Sequence, residues 1–390
     1  MKNRRVLKFL EYAVVACALL IVPVATFAQH YTQTNLVSDL SSFGGQPVPV
    51  QDPNLKNPWG MARAASSPWW VNNEGTGTST LYKGTGAIVA PPSPVVVPNV
   101  AGVDTPSEPT GIIFNGTTDF QIANVPGKAA SPAIFIFVTK NGTISAWDPA
   151  TTPLQLAVNE VTEKGAVFTG LTWIEKDGTH FLLVANFAAN SIEKFDTNFN
   201  RVALSGEQFD DNRLPPGFAP YNVQAVGDTV VVTYALQNPA KNGADDNCGE
   251  QCGFADIFSA EGKLLRRLEN VAGILSAPWG VALAPQDFGF FSHDLLVGNR
   301  FGGTIAAFDP VNGHFLGLLL SADGSAIAIN GLWGIEFDNR QQPGQSFQFA
   351  GTFLRGWHQR LCRRFVWDAH TGCCRIERGG PRVTSQFGCR

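Results

Sequence analysis

NPWGMA at 57–62 returns as EPTGII at 108–113, APYNVQ at 219–224, APWGVA at 277–282 and NGLWGIE at 330–336. A looser copy, FTGLTWI at 168–174, falls where the spacing requires one. Six copies at intervals of fifty to sixty residues fill the body of the chain. A second phrase follows most of them, a β-rich run that turns and ends on an aromatic: WWVNNEGTGTSTLYKGTG, IFIFVTKNGTISAWDPAT, FLLVANFAANSIEKFDTN and DLLVGNRFGGTIAAFDPVNG. In three of these an Asn precedes the aromatic by nine residues: Asn73 with Tyr82, Asn186 with Phe195 and Asn299 with Phe308.

Each unit therefore supplies a strand opened by Pro and an aromatic or small residue, a second apolar strand, a turn and a third strand. KNG at 140–142, KDG at 176–178 and AEG at 260–262 are hairpin signals between apolar runs. Units of this size cannot bury their own faces and stack radially as propeller blades. The expectation is an all-β chain, a six-bladed β-propeller whose last blade is incomplete at the C-terminus. In this reading the large ring of WG wedges between blades, and Gly lets the innermost strand approach the crowded axis. The segment HYTQTNLV at 30–37 alternates like a strand and is placed to close the ring as the outer strand of the last blade. The sixth unit begins with GLWGIEFD but lacks the pattern of a third strand.

These phrases, together with PYNVQAVGDTVVVTYAL and GFADIFSAEGKLLRRL, resemble NHL-repeat-type and lactonase-type propellers. They resemble more closely an uncharacterised family of secreted bacterial six-bladed β-propeller proteins, over residues 33–350. The resemblance implies the fold and brings no activity with it. The chain departs from that family in lacking a Gly-rich final strand, and in carrying Ala244-Asp245-Asp246 where a His-Asp-Asp run is usual.

Residues 1–28 read as a secretory signal, four cations before an apolar run, so the rest is expected outside the cytoplasm, secreted or periplasmic. The body is then 29–351. From 352 to 390 the alternation stops, and the stretch holds eight arginines, no lysine and four cysteines. This tail reads as a disordered extension or a reading-frame artefact, or else as a basic, disulfide-bonded or metal-binding appendage. Both ends are basic, so the formal charge of −4 conceals a more acidic body. That argues against nucleic acid or an anionic membrane as partner. With its leader removed, the chain is expected to make no stable membrane insertion. Low-complexity disorder is excluded by 44% hydrophobic residues against 15% charged.

Asn73, Asn186 and Asn299 recur at one blade position and are expected on a ring about the channel. With Glu74 and Arg300 they are the candidate ligand contacts. Asn73, Glu74, Asn186 and Asn299, joined by the loop acids Asp245 and Asp246, form the oxygen-rich set suited to Ca²⁺. The competing reading is that each Asn bonds its own turn. Cys248 and Cys252, close together in NGADDNCGEQCG, are the expected disulfide. Asp148, Asp196 and Asp309 follow the blade aromatics and read as turn residues. Trp69 and Trp70 are candidates for a stacking surface. Asn115 and Asn141 fit the glycosylation sequon and also serve as turns. No GxSxG, HExxH, phosphate loop or dinucleotide fingerprint is present. The expected function is non-enzymatic binding of a partner or small ligand at one mouth of the ring. The alternative is a Ca²⁺-assisted hydrolase or lactonase with its ion in the channel.

Overall fold

The first five copies of the recurring phrase each open a four-stranded antiparallel sheet whose strands pair in chain order. Their first strands are Pro58–Ala62, Pro109–Phe114, Phe168–Lys176, Phe218–Val226 and Pro278–Leu283. The chain is thus an all-β propeller with five complete blades, numbered here 1 to 5. The computed structural model describes residues 29–337 apart from 44, 124, 151, 207 and 244–251. Beyond these it describes only the backbone of strands Phe347–Phe349, Phe353–Gly356, Phe365–Asp368 and Cys373–Ile376. The leader at 1–28 and residues Asp245, Asp246 and Cys248 lie outside the described residues.

A further sheet gathers both ends of the chain. Its order is Ile335–Phe337, Phe347–Phe349, Phe353–Gly356, Gln33–Ser38 and Val50–Gln51. The strand expected to close the ring, within 30–37, does take the place outside the third strand, pairing Gln33 with Gly356 and Val37 with Phe353. The third strand, which the sequence pattern lacks, comes from Phe353–Gly356, inside the stretch read as tail. Each first strand lies against the next around the axis, and Ile335–Phe337 lies against those of blades 5 and 1. Further along the tail, Phe365–Asp368 and Cys373–Ile376 pair with each other as a separate two-stranded sheet.

Hairpin chemistry follows the sequence. In KDG, Asp177 and Gly178 both take positive φ, 52° and 72°, giving the two-residue loop that joins Lys176 to Thr179. Asp196 accepts from the backbone N–H groups of Asn198 and Asn200, and Asp309 accepts from that of Val311. They fill turn roles.

The apolar cores sit between blades. Ala62 and Trp70 of blade 1 pack with Ile112, Phe135, Phe137 and Trp147 of blade 2, and similar clusters join 2 to 3, 3 to 4 and 4 to 5. Trp70 stacks on Phe135 with ring centroids 4.4 Å apart, and Trp69 is likewise buried. Neither offers a surface to a ligand, because both are consumed by packing.

In all five blades the register between first and second strands shifts at the recurring phrase. Such a bulge bends the strand toward the axis. The glycine there is required by close approach: a Cβ on Gly60 would meet Thr110 O at 2.6 Å and the amide N of Ile112 at 3.0 Å.

Candidate functional site at the channel mouth

The phrase residue before that glycine decides one end of the channel. Trp59, Tyr221, Trp279 and Trp333 converge from blades 1, 4 and 5 and the closing sheet. Trp59 stacks on Trp333 and meets Tyr221 and Trp279 edge-on at 5.9 and 6.0 Å. Blades 2 and 3 carry Thr110 and Thr169 instead, both buried. Thr110 Oγ1 donates to Phe168 O, and Thr169 O accepts from Trp279 Nε1 at 3.0 Å. Four large rings and two small hydroxyl residues fill the axis. WG therefore does more than wedge neighbouring blades: its rings meet across the axis and shut this end.

Past the glycines the channel stays narrow. Asn222 stands where the other blades have glycine, donating from Nδ2 to Trp279 O at 2.8 Å, and its side chain fills space that glycines such as Gly170 leave open. About 20 Å³ of free space remains there, on the scale of one water. Beyond, the channel opens into a cavity of about 780 Å³.

Gln224 and Glu336 line both the narrow part and the cavity. They occupy one column of the phrase, two residues past the glycine position, held elsewhere by Ala62, Ile113, Thr172 and Ala282. Glu336 is the only acid in that column. Among the described residues no cation pairs with it. Burial pushes its carboxyl up to about 7, against the opposing pull of the Phe337 backbone N–H. Phe114 and Trp173 contribute aromatic walls, fixed to each other by Trp173 Nε1 donating to Phe114 O at 3.3 Å. Glu175 at the end of its strand and Asp228 and Glu261 on turns stand exposed around it. Arg63 also lines the cavity, with Nε donating to Ala64 O, Nη2 donating to Ala65 O and Ser67 O, and its guanidinium over Trp69.

The residues singled out from the sequence lie at the opposite, closed end. Asn73 pairs with Pro58, Asn186 with Phe168 and Asn299 with Pro278, at the start of each first strand. All three are buried, and each amide bonds within its own surroundings. Asn73 Nδ2 donates to the hydroxyls of Thr78 and Thr80. Asn186 donates to Glu193 Oε1 at 2.7 Å and accepts from the N–H groups of Val167 and Ala189. Asn299 accepts from the Ser276 N–H and donates to Ile274 O. No described hydrogen bond links one to another. Glu74 is held by Lys140 at 2.5 Å and accepts from Asn57 Nδ2. Arg300 lies over the Phe301 and Trp333 rings. Among the described residues no three His, Cys, Asp or Glu side chains gather as metal ligands. The Asn186 and Asn299 oxygens already accept backbone N–H groups, whereas the buried Asn73 Oδ1 has no hydrogen-bond partner among the described residues. Cys252 is disulfide-bonded, while its expected partner Cys248 is among the residues not described. Of the sequons, Asn115 is buried with Nδ2 donating to Asp119 O and Ala133 O.

No family profile matches the chain. A mimivirus protein, uncharacterized protein R648 of Acanthamoeba polyphaga mimivirus, is 33% identical over 291 residues, covering 73% of this chain and 69% of its own. The chain belongs to the family of R648. Uncharacterized protein L690 of the same virus is 30% identical over 292 residues, 73% of this chain and 74% of its own. Both relatives are viral, so the expected bacterial and secreted character draws no support from them. Among solved structures, a protein of unknown function from Bacteroides thetaiotaomicron superposes with a TM-score of 0.51 at 11% identity, over 85% of this chain and 76% of that one. At that identity the likeness concerns the fold alone. Among the described residues no helix is long and apolar enough to cross a membrane.

Proposed function

We propose that this member of the R648 family is a six-bladed propeller acting as a non-catalytic binding module, which holds a small ligand in the blind cavity at the open mouth of its channel. The sixth blade is the sheet built from both ends, supported by Ile335–Phe337 lying between the first strands of blades 5 and 1. The observation that carries the binding reading is the one-ended channel. Tryptophans close one end, and the other opens into about 780 Å³, within the range of small-molecule sites. The described lining offers carboxylates, an amide and aromatic faces but no Ser, Cys, His or Lys. Its hydroxyls are those of Thr172 and Thr229, and Thr172 Oγ1 already accepts from the Ala225 N–H. Work outside the reducing cytoplasm is supported by the leader pattern at 1–28 and by the disulfide at Cys252.

A panel of small amines, carboxylates and sugars, screened by ligand-observed NMR on the full chain, tests the reading. Hits should vanish in Thr172→Trp, which fills the cavity, and persist in Phe290→Ala, a change at an exposed site in blade 5. Hits that survive Thr172→Trp would place binding elsewhere.

A further inference from the structure

We infer that the cavity takes an organic cation, an amine or guanidine, whose charged head seats against Glu336 while its apolar part lies along Phe114 and Trp173. The inference rests on the binding reading above and names the ligand's chemistry.

Glu336 sits where the cavity narrows into the channel, so a ligand filling the blind end meets its carboxylate first. A carboxylate withdrawn from water without a described counter-charge is costly to ionise. An entering cation supplies a counter-charge, and Glu336 then ionises fully. Its elevated affinity for protons, about 7 on the pH scale, comes from that burial. The other charges facing the cavity point the same way. Glu175, Asp228 and Glu261 come from the first hairpins of blades 3 and 4 and from the outer turn of blade 4, forming an acidic rim. Such a rim draws cations toward the mouth. Arg63 is the one cation of the described lining, and its Nε and Nη2 already donate to backbone carbonyls. The aromatic walls suit the carbon portion of an organic cation and attract its charge. A bare metal ion fits less well, because one carboxylate with the Gln224 amide and Thr172 hydroxyl falls short of the six to eight oxygens Ca²⁺ takes.

The test compares three probes of one shape on the full chain by calorimetric titration at pH 8: phenethylamine, neutral phenethyl alcohol and anionic 3-phenylpropionate. The amine should bind saturably, at least tenfold tighter than the alcohol, with no heat from the anion. Glu336→Gln should remove that tenfold preference, and Phe290→Ala should keep it. Affinity for the amine should fall roughly tenfold from pH 8 to pH 6, as the Glu336 carboxylate becomes the minor form. A peptide with a single Lys distinguishes the source: binding like the amine points to a protein partner's side chain, and exclusion points to a free small cation, both within the inference. If the alcohol or the anion binds as well as the amine and is displaced by Thr172→Trp, the cavity reading stands and the cation inference fails. If no probe of any charge binds, both fail. Unchanged amine affinity in Glu336→Gln also overturns the inference.

Discussion

Trp59, near the start of the propeller, stacks face to face on Trp333, near its end, with ring centroids 3.6 Å apart and planes 16° from parallel. The two rings belong to the first and last copies of the same phrase, so one contact both fastens the ends of the ring and plugs its axis. Trp333 Nε1 adds a hydrogen bond back to Asn57 Oδ1 at 3.3 Å. The two ends thus meet in two places: a strand pairing, Gln33–Ser38 on Phe353–Gly356, and this aromatic hub.

Trp59→Ala should therefore cost more than an ordinary surface change. Removing a buried indole from a packed site costs about 3–5 kcal/mol. Chemical denaturation of the variant should show that loss, whereas Phe290→Ala, at a side chain 73% exposed, should stay within about 0.5 kcal/mol of the parent. A Trp59→Ala chain as stable as the parent would mean that the hub does not hold the ring.

Asn186→Ala and Asn299→Ala test whether the recurring asparagines are structural. Asn186→Ala takes the amide donor from the buried Glu193 carboxylate and Asn299→Ala takes the acceptor from the buried Ser276 N–H, each costing about 1–3 kcal/mol. Thermal unfolding should move down in both variants, and millimolar Ca²⁺ should leave the parent's Tm unchanged. A Ca²⁺-dependent rise in the parent, lost in the variants, would restore the amide ring as a metal site.

The recurring phrase made the blades, their order and the turn residues legible, because period and hairpin chemistry are local properties. Its last column also carries the residue on which the proposed site rests: Glu336 stands where the other copies have Ala62, Ile113, Thr172, Gln224 and Ala282. Asn73, Asn186 and Asn299, equivalent in the pattern, lie at the closed end. Sequence shows that these positions are equivalent, but not which end of the strand faces open space. That depended on four large rings meeting across the axis, a fact of assembly beyond any one unit. The third strand at Phe353–Gly356 was illegible for a different reason, since it lies in a stretch without alternation and pairs with residues from the far end of the chain.

Asp256 and Asp211, both buried, share the guanidinium of Arg267, with Nε donating to Asp256 Oδ1 at 2.9 Å and Nη2 to Asp211 Oδ2 at 2.6 Å. Burial pushes Asp256 up to about 6, whereas hydrogen bonds from Arg213 hold Asp211 down at about 2. Arg267→Met strands the Asp256 carboxyl while Asp211 keeps Arg213, and breaking such a buried pair costs about 3–5 kcal/mol. The loss should be larger at pH 8 than at pH 5, where Asp256 takes up a proton and sheds its charge. Urea denaturation at the two pH values measures this, and an equal loss at both would assign the cost to packing instead.

Glu336 makes the folded chain sensitive to pH in the same direction. Its carboxyl holds a proton more tightly folded, at about 7, than its ordinary value of 4.5 in the unfolded chain. Between those values the folded state binds more protons, so stability must fall as pH rises through that window. In Glu336→Gln the amide keeps the shape and cannot ionise, which removes this slope. The variant should match the parent near pH 4 and exceed it at pH 8 by about 1–3 kcal/mol, the upper figure reduced because the side chain is only half-buried. Denaturation midpoints for both chains across pH 4–8 provide the measurement. A variant less stable than the parent at pH 8 would mean that the carboxylate already has a compensating partner, and with it the case for an incoming cation would be lost.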